Sequence, residues 1–413
     1  MCLLNLIGYH MKFNFNYIHE LNWKRNFFSK KVKIFTKYFL KYAIAIRGEK
    51  KFQPSSIKNV LIIRNDLIGD MIATTGLIRN LYLSGYNIYV SSKQQALEII
   101  KHNPYIKSVI TYNDDTIKNL IKTIWHTRKY KFDLAIECKP SQLFNIKNLI
   151  YYRLLRTRFL LGFNRNRFKI FTNSIYYDVS SNHITKQLEQ ILLSLEINDY
   201  DDLHYDLFIN NEINTFSTNQ LPTKPFIVLN PFGSHLHRCL NPNQIRNIIK
   251  ILLKQDFYII LIDRNQTINI NHDRVILFNS RGILDIIPVI RNAYLVISVD
   301  TSIVHIASAF NKKSIVFYLD PPLQYLTYFE SKESLKEKLS HDVYKFEFRL
   351  KYNISETDAN SIREFFPITR IYWNPKNPMA KQIIFYNYEN IGLIPQNYFI
   401  ENFEQSLYEL LDN

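Results

Sequence analysis

A polar turn late in the chain carries residue types that bind phosphate. Residues 293–320 read as a short apolar strand, a turn at Asp300, Thr301 and Ser302, a helix and a second strand. In an open α/β sheet, ligands bind in the crevice at the carboxyl ends of the strands. The helix N-terminus adds unpaired N–H groups and a positive dipole end, which favour an anion. These three residues are candidates to bind a phosphate, and the alternative is that Asp300 or Thr301 only caps the helix.

His305 lies one helical turn beyond Thr301, and this spacing places both residues on the same helix face. An imidazole here either contacts a pyrophosphate and orients the turn, or it is a buried structural histidine. The spacing is compatible with both interpretations.

A second polar loop, after a predicted strand at 226–230, contains further anion-binding groups. Gly233 and Ser234 offer a backbone and a hydroxyl donor, and Arg238 offers a bidentate charged contact. His235 and His237 are candidates for the same anion, but we expect them to be exposed.

A third loop, residues 65–70, follows a predicted buried strand at 59–64. Gly69 permits a tight turn and a close backbone approach. Asp70 opens the next helix, where free N–H groups stabilise a carboxylate. The alternative is that Asp70 is simply a helix cap.

A basic loop at 165–169 holds Arg165 and Arg167. These side chains either contact a phosphorylated acceptor or belong to a solvated loop.

The elements that must position these loops alternate as strand and helix, which indicates parallel, doubly wound sheets. The alternation runs over residues 57–210 and begins again over 225–395, with a polar linker at 211–224. We therefore predict two Rossmann-like domains with a cleft between them. A closing amphipathic helix, 396–413, follows, with packing against the first domain as one option.

Composition narrows the function classes. The 413 residues are 46% hydrophobic and 21% charged, which is typical of a folded protein. The net charge of +16 favours an anionic partner, although an AT-rich coding sequence also inflates lysine. Three scattered cysteines form no CxxC motif, so neither a disulfide framework nor a cysteine zinc site is predicted, and a reducing compartment is expected. The sequence has no Walker phosphate loop, no GxSxG and no apolar run long enough to span a membrane.

Residues 1–56 form a basic arm. Lysines at 30, 33, 37 and 41 and apolar residues at 32, 35, 39, 42 and 46 recur at helical spacing. This amphipathic helix either lies on an anionic membrane surface or packs on its own protein with solvated lysines.

Three motifs together resemble glycosyltransferase family 9, the ADP-heptose lipopolysaccharide heptosyltransferases. They are VLIIRNDLIGD at 60–70, the Gly233–Ser234 loop followed by Arg238, and DTSIVHIASA at 300–309, which is the most specific. Order and spacing agree with the family from about residue 58 to residue 322. Four positions depart from the family pattern: Arg238 for lysine, Leu240 for tryptophan, Ser302 for glycine and Gly76 for proline.

The resemblance implies a GT-B fold, in which two Rossmann-like domains face each other across a central cleft. It also implies inverting transfer without a metal ion or other cofactor, with ADP-heptose as donor. Inverting transfer requires a base, and Asp70 is our candidate. Residues implied for donor binding are Gly233, Ser234, Arg238, Asp300, Thr301, Ser302 and His305. Residues implied for acceptor binding are Arg64, Gly69, Arg165 and Arg167.

The implied acceptor is the phosphorylated inner core of lipopolysaccharide, at the cytoplasmic face of the inner membrane of a Gram-negative bacterium. Residues 1–50 would contact that anionic surface, and no nucleic acid is expected. Two alternatives remain open. One is a GT-B transferase that uses another nucleotide sugar or a protein acceptor. The other is a non-catalytic basic protein that binds nucleic acid or lipid. Two features disfavour it, because the lysines are dispersed along the chain and no RNA-binding motif is present.

Overall fold

The computed structural model describes residues 51–139, 146–166, 168–178, 182–263, 267–268, 270–320, 369–388 and 390–412, together with scattered residues between 25 and 44. Arg167, residues 321–368 and much of the basic arm lie outside these residues. The described arm residues, which include Lys30, Lys33, Phe35 and Phe39, are helical. None of the described helices combines the length and the apolar character needed to cross a bilayer.

The first sheet has six parallel strands in the order β3-β2-β1-β4-β5-β6. Its central strands are apolar and buried along their length, as expected for a sheet covered on both faces. The strands are β1 Asn59–Ile63, β2 Asn87–Ser92, β3 Ile106–Thr111, β4 Leu134–Glu137, β5 Phe159–Phe163 and β6 Asn173–Ile175.

The second sheet repeats this topology. Its order, β12-β11-β10-β7-β8-β9, becomes the order of the first sheet when β7 is counted as the first strand. The strands are β7 Phe226–Asn230, β8 Tyr258–Leu261, β9 Val275–Leu277, β10 Leu295–Val299, β11 Ser314–Asp320 and β12 Ala380–Tyr386. In each sheet the strand order reverses between the first and fourth strands, and such a reversal opens a crevice at their carboxyl ends.

Eleven α-helices, numbered in chain order, flank the strands in the described part of residues 51–412. They are α1 Ile68–Leu83, α2 Gln94–Glu98, α3 Ile117–Thr127, α4 Ile146–Leu154, α5 Ile184–Ser194, α6 Asn211–Thr218, α7 Pro242–Leu252, α8 Ile283–Asn292, α9 Ser302–Ala309, α10 Thr369–Tyr372 and α11 Gln396–Leu411. The two-domain, parallel α/β fold predicted from the sequence is therefore present.

Two segments differ from expectation. The polar linker contains α6, which begins where Asn210 accepts a hydrogen bond from the Ile213 N–H. The closing helix α11 packs on the second sheet. Its buried residues Phe399, Phe403 and Leu407 belong to the hydrophobic core that contains Leu229.

A short strap, residues 201–206, crosses α1 and leads towards the second domain. Gly76 lies directly beneath it, and a Cβ there would lie 2.5 Å from the His204 carbonyl oxygen. Asn80 fixes the strap through both backbone groups of Asp201, at 2.8 and 3.0 Å. The side chain of Arg79 also reaches Asp206 at 2.5 Å. The absence of a side chain at Gly76 thus permits this close crossing.

Candidate active site

The carboxyl edge of the first sheet holds Asp70 in a fixed position. Strand β1 ends at Ile63, so the next side chain, Arg64, points into the crevice beside β4. Arg64 is fully buried, and its Nη2 donates to Asp70 Oδ1 at 3.1 Å. The Leu67 N–H donates to the other carboxylate oxygen at 3.0 Å. Asp70 therefore both caps α1 and faces the crevice.

Burial raises the pKa of Asp70 to about 6, against the opposing effect of Arg64, and the nearby Asp66 raises it further. A carboxyl group with this pKa is ionised at neutral pH yet basic enough to take a proton during a reaction. The environment of Asp70 thus suits a general base.

A second set of charges lies at the end of β4, next to Arg64. Glu137 is buried, and burial raises its pKa to about 7 against the effect of Arg165. Lys139 Nζ lies 2.9 Å from Asp66 Oδ1. Burial alone would raise the pKa of Asp66, but Arg64 and Lys139 together lower it. The edge therefore combines an ionised Asp66 with two acids that titrate closer to neutrality.

The carboxyl edge of the second sheet joins the two donor loops. Arg238 Nη1 lies 3.0 Å from Asp300 Oδ2, so a charged pair connects the end of β7 to the end of β10. Burial raises the pKa of Asp300, and Arg238 opposes that rise. The Arg238 side chain remains 35% exposed, which leaves its guanidinium accessible to an anion.

Thr301 is the N-cap of α9, and its hydroxyl accepts from the Ile303 N–H at 3.3 Å. The amide of Asn230, at the end of β7, donates to the same hydroxyl at 3.1 Å. The capping alternative for Thr301 is therefore correct for its side chain. Ligand binding by the backbone at the start of α9 stays a prediction.

Gly233 allows the arginine loop to fold tightly, because a Cβ there would lie 2.7 Å from Arg238 Cβ. Ser234, His235 and His237 are exposed, as expected for the two histidines. The two imidazole rings stack with centroids 5.5 Å apart.

The two edges meet where the start of α1 touches α9. A Cβ on Gly69 would lie 2.8 Å from His305 Cδ2 and 3.7 Å from the Ser302 Cα. The aspartate turn and the start of α9 are thus in direct contact. The three loops predicted separately from the sequence lie in one region.

His305 is buried between the domains, with ring contacts to Tyr205 and Trp373 at 5.8 and 5.9 Å. Burial lowers its pKa to about 3, and the neighbouring His183 contributes to the shift. The imidazole is therefore neutral near pH 7 and buried, and its Nδ1 has no hydrogen-bond partner among the described residues. A contact to pyrophosphate stays a prediction.

Two of the predicted acceptor contacts, Arg64 and Arg165, lie in the interior. Arg64 is fully buried and is engaged by Asp70 and by the carbonyl oxygen of Cys138 at 2.6 Å, so it positions the carboxylate. Arg165 is also fully buried, and it donates to the Lys139 carbonyl oxygen at 3.3 Å. Its side chain is therefore part of the interior and not of a solvated loop. Arg167 is outside the described residues.

Sequence reasoning missed Glu137 and Trp373. The sequence could have indicated Glu137, since this carboxylate ends a strand that neighbours β1. Trp373 carried none, because it lies about 300 positions from Arg64 in a proline-containing segment. In space its ring centroid is 5.7 Å from the Arg64 guanidinium carbon.

Among the described residues, no group of three or more histidine, cysteine, aspartate or glutamate side chains is arranged to hold a metal ion. Transfer without a metal ion remains a prediction.

No protein-family model matches the chain. A curated relative, "Putative lipopolysaccharide heptosyltransferase 4" of Escherichia coli strain K12, is 24% identical over 307 residues, which cover 71% of this chain and 83% of the relative.

Solved structures match the fold over most of the chain. The glycosyl transferase family 9 protein from Veillonella parvula aligns with a TM-score of 0.61 and 12% identity, over 85% of this chain and 97% of that one. E. coli ADP-heptose LPS heptosyltransferase II aligns with a TM-score of 0.58 and 13% identity, over 85% of this chain and 99% of that one. The predicted resemblance is confirmed: the chain has the GT-B fold and is similar to the lipopolysaccharide heptosyltransferases of glycosyltransferase family 9.

Proposed function

We propose that this protein transfers a heptose from ADP-heptose to the inner core of lipopolysaccharide, with inversion at the anomeric carbon and Asp70 as the base. The observation that carries the proposal is the contact between Gly69 and His305, which brings the Asp70 turn to the start of α9. An acceptor at one edge and a sugar diphosphate at the other would then share one groove. The similarity to heptosyltransferases supports the choice of sugar and donor.

In the proposed reaction, an acceptor hydroxyl gives its proton to the Asp70 carboxylate while its oxygen attacks the anomeric carbon of the donor. The bond between that carbon and the diphosphate oxygen breaks, and ADP leaves with the electron pair. A single displacement from the opposite face inverts the anomeric centre. Arg64 holds Asp70 in place and limits the rise in its pKa.

The leaving diphosphate carries the developing negative charge. Arg238 provides a positive charge, and the N-terminus of α9 provides N–H groups and a dipole. These groups replace a metal ion in our proposal, so chelators should not change turnover. Asp300 orients Arg238.

We also propose that the enzyme acts at the cytoplasmic face of the inner membrane, with the basic arm on the anionic lipid surface. The net charge of +16 and the described helical lysines of the arm support this location. Deleting residues 1–50 should weaken liposome binding more than turnover on a soluble acceptor.

The mass of lipopolysaccharide from a deletion strain tests the reaction. We expect a core shortened by one heptose, which the wild-type gene restores and an Asp70→Asn gene does not. A core of normal mass, or one that lacks a different sugar, would refute the assignment.

Isothermal calorimetry with ADP tests the donor site separately. Arg238→Ala should weaken ADP binding at least tenfold, because it removes a charged contact. Arg246→Ala, at an exposed arginine on α7, is the matched control and should bind normally. Absence of ADP binding together with salt-sensitive DNA binding would instead support the non-catalytic basic protein.

A further inference from the structure

Helix α3 leaves an apolar strip in solvent. Ile117, Ile121 and Trp125 follow one another at four-residue spacing and are 70%, 58% and 71% exposed. The same helix already has a buried side, formed by Leu120, Thr123, Ile124 and Thr127. The exposed strip is therefore additional to the residues that hold α3 on its domain.

A row of lysines lies beside the strip. At 100° per residue, Lys118 and Lys122 project next to the apolar side chains, and both are exposed. Lys129 lies beyond the end of the helix with its ammonium group 5.5 Å from the Trp125 ring centroid. The nearest carboxylates along the chain, Asp114 and Asp115, precede the helix. One face of α3 thus combines apolar and cationic side chains.

Charge distinguishes between possible occupants of this face. A second copy of the chain would bring its own lysines against these, and the basic arm would also meet like charge. An anionic bilayer complements both features, since apolar and aromatic side chains enter the boundary between headgroups and acyl chains while ammonium groups remain at the phosphates. We propose that α3 docks the first domain on an anionic lipid surface.

The location of α3 fits an enzyme with a membrane-held acceptor. The helix begins just after the carboxyl end of β3, at the same edge of the sheet that carries Asp70. The inference rests on the proposed function only for the membrane-held acceptor. Vesicle binding without substrates tests the docking, and turnover on a soluble acceptor tests the transfer, so either can fail alone.

The test measures partitioning of the full chain onto vesicles of phosphatidylglycerol and phosphatidylcholine. The double variant Lys118→Gln/Lys122→Gln should weaken binding about twenty-fivefold, from about fivefold for each lysine. Ile121→Ser/Trp125→Ser should weaken it about tenfold or more. Lys250→Gln/Lys254→Gln, an exposed pair at the same spacing on and after α7, makes the same charge change and should leave binding within about twofold.

A second readout uses the indole itself. In a Trp23→Phe background, lipids brominated in the acyl chains should quench the fluorescence. Adding Trp125→Phe should abolish that quenching without changing the unfolding temperature. Wild-type binding by both α3 double variants, or equal binding to purely neutral vesicles, would overturn the proposal. So would self-association in light scattering that the α3 variants abolish without lipid, since that result assigns the strip to a second copy.

Discussion

Gly69 in α1 of the first domain contacts His305 in α9 of the second domain, and no space remains between them for a methyl group. A Cβ on Gly69 would lie 2.8 Å from His305 Cδ2. This contact sets the distance between the Asp70 turn and the start of α9. Any side chain at position 69 would therefore press on the His305 ring.

Gly69→Ala should separate the two edges and lower turnover, at a stability cost of about 1–3 kcal/mol. His305→Ala in the same chain should recover part of that loss, because it removes the ring that the new methyl group meets. A double-mutant cycle on unfolding free energy and on kcat measures this coupling. Gly282→Ala is the control, since its Cβ would meet only the flexible carboxylate end of Glu98. Additive effects would show that the contact is not the reason for the glycine.

Turnover should depend on one ionisation near pH 6. Because burial raises the pKa of Asp70 to about 6, kcat/KM should fall about tenfold per unit as the pH drops below that value. The pH profile of wild-type enzyme on a soluble acceptor checks this. A profile that stays flat down to pH 4.5 would contradict the assignment.

Arg64→Gln should move the fall of kcat/KM at low pH, the acidic limb of the profile, to higher pH. Arg64 lowers the pKa of Asp70, so its removal lets burial and Asp66 raise the pKa further. Activity at pH 7 then falls, whereas activity above pH 8 recovers in part. Arg246→Gln, on the exposed face of α7, should leave the limb in place. An equal loss at every pH would indicate only a structural role for Arg64.

Trp373→Leu should lower kcat by about tenfold with little change in ADP affinity, since the ring contacts both His305 and Arg64, the residue that holds Asp70. Trp125→Leu removes an exposed ring and should leave turnover on a soluble acceptor unchanged. Comparable losses in both variants would count against a specific role for Trp373.

Two histidines, the buried His305 and the partly buried His183, should make folding sensitive to acid. Burial lowers the folded-state pKa of His305 to about 3 and that of His183 to about 4, both from an ordinary value of 6.5. Their stabilising contribution is complete above pH 6.5 and is lost as the pH falls towards those values, by about 1.4 kcal/mol per pH unit for each histidine. Denaturant titrations at pH 6.5, 5.5 and 5.0 measure the slope, and His305→Gln should reduce it. An unchanged slope would mean that His305 is not neutral in the folded state.

Local sequence pattern predicted the repeated strand–helix order and the three loops, because parallel strands place their carboxyl ends at one edge. Strand β1, with its continuous apolar residues, was easy to identify. Strand β12 was missed, since its buried and partly exposed residues alternate at a sheet edge and a long segment precedes it. The short β6 was missed because its three residues, two of them polar, form no apolar run, and none of them is fully buried.

Side-chain roles that depend on distant packing could not be predicted. His305 was left between two interpretations because only the approach of Tyr205 and Trp373 determines its burial. Arg64 looked like an acceptor contact until its full burial against Asp70 was known. The neighbours that bury His305 lie far away in sequence, and the neighbour of Arg64 approaches it only once the turn has folded.

The most direct test of the account compares Asp70→Asn with Asp66→Asn and wild type in two measurements, ADP affinity and heptose transfer to a soluble acceptor. Asp66 lies in the same turn, and it pairs with Lys139. We predict that Asp70→Asn binds ADP normally but transfers at least about a hundredfold more slowly, a loss typical of a missing general base, whereas Asp66→Asn retains most activity. Transfer at the wild-type rate by Asp70→Asn would contradict the central claim.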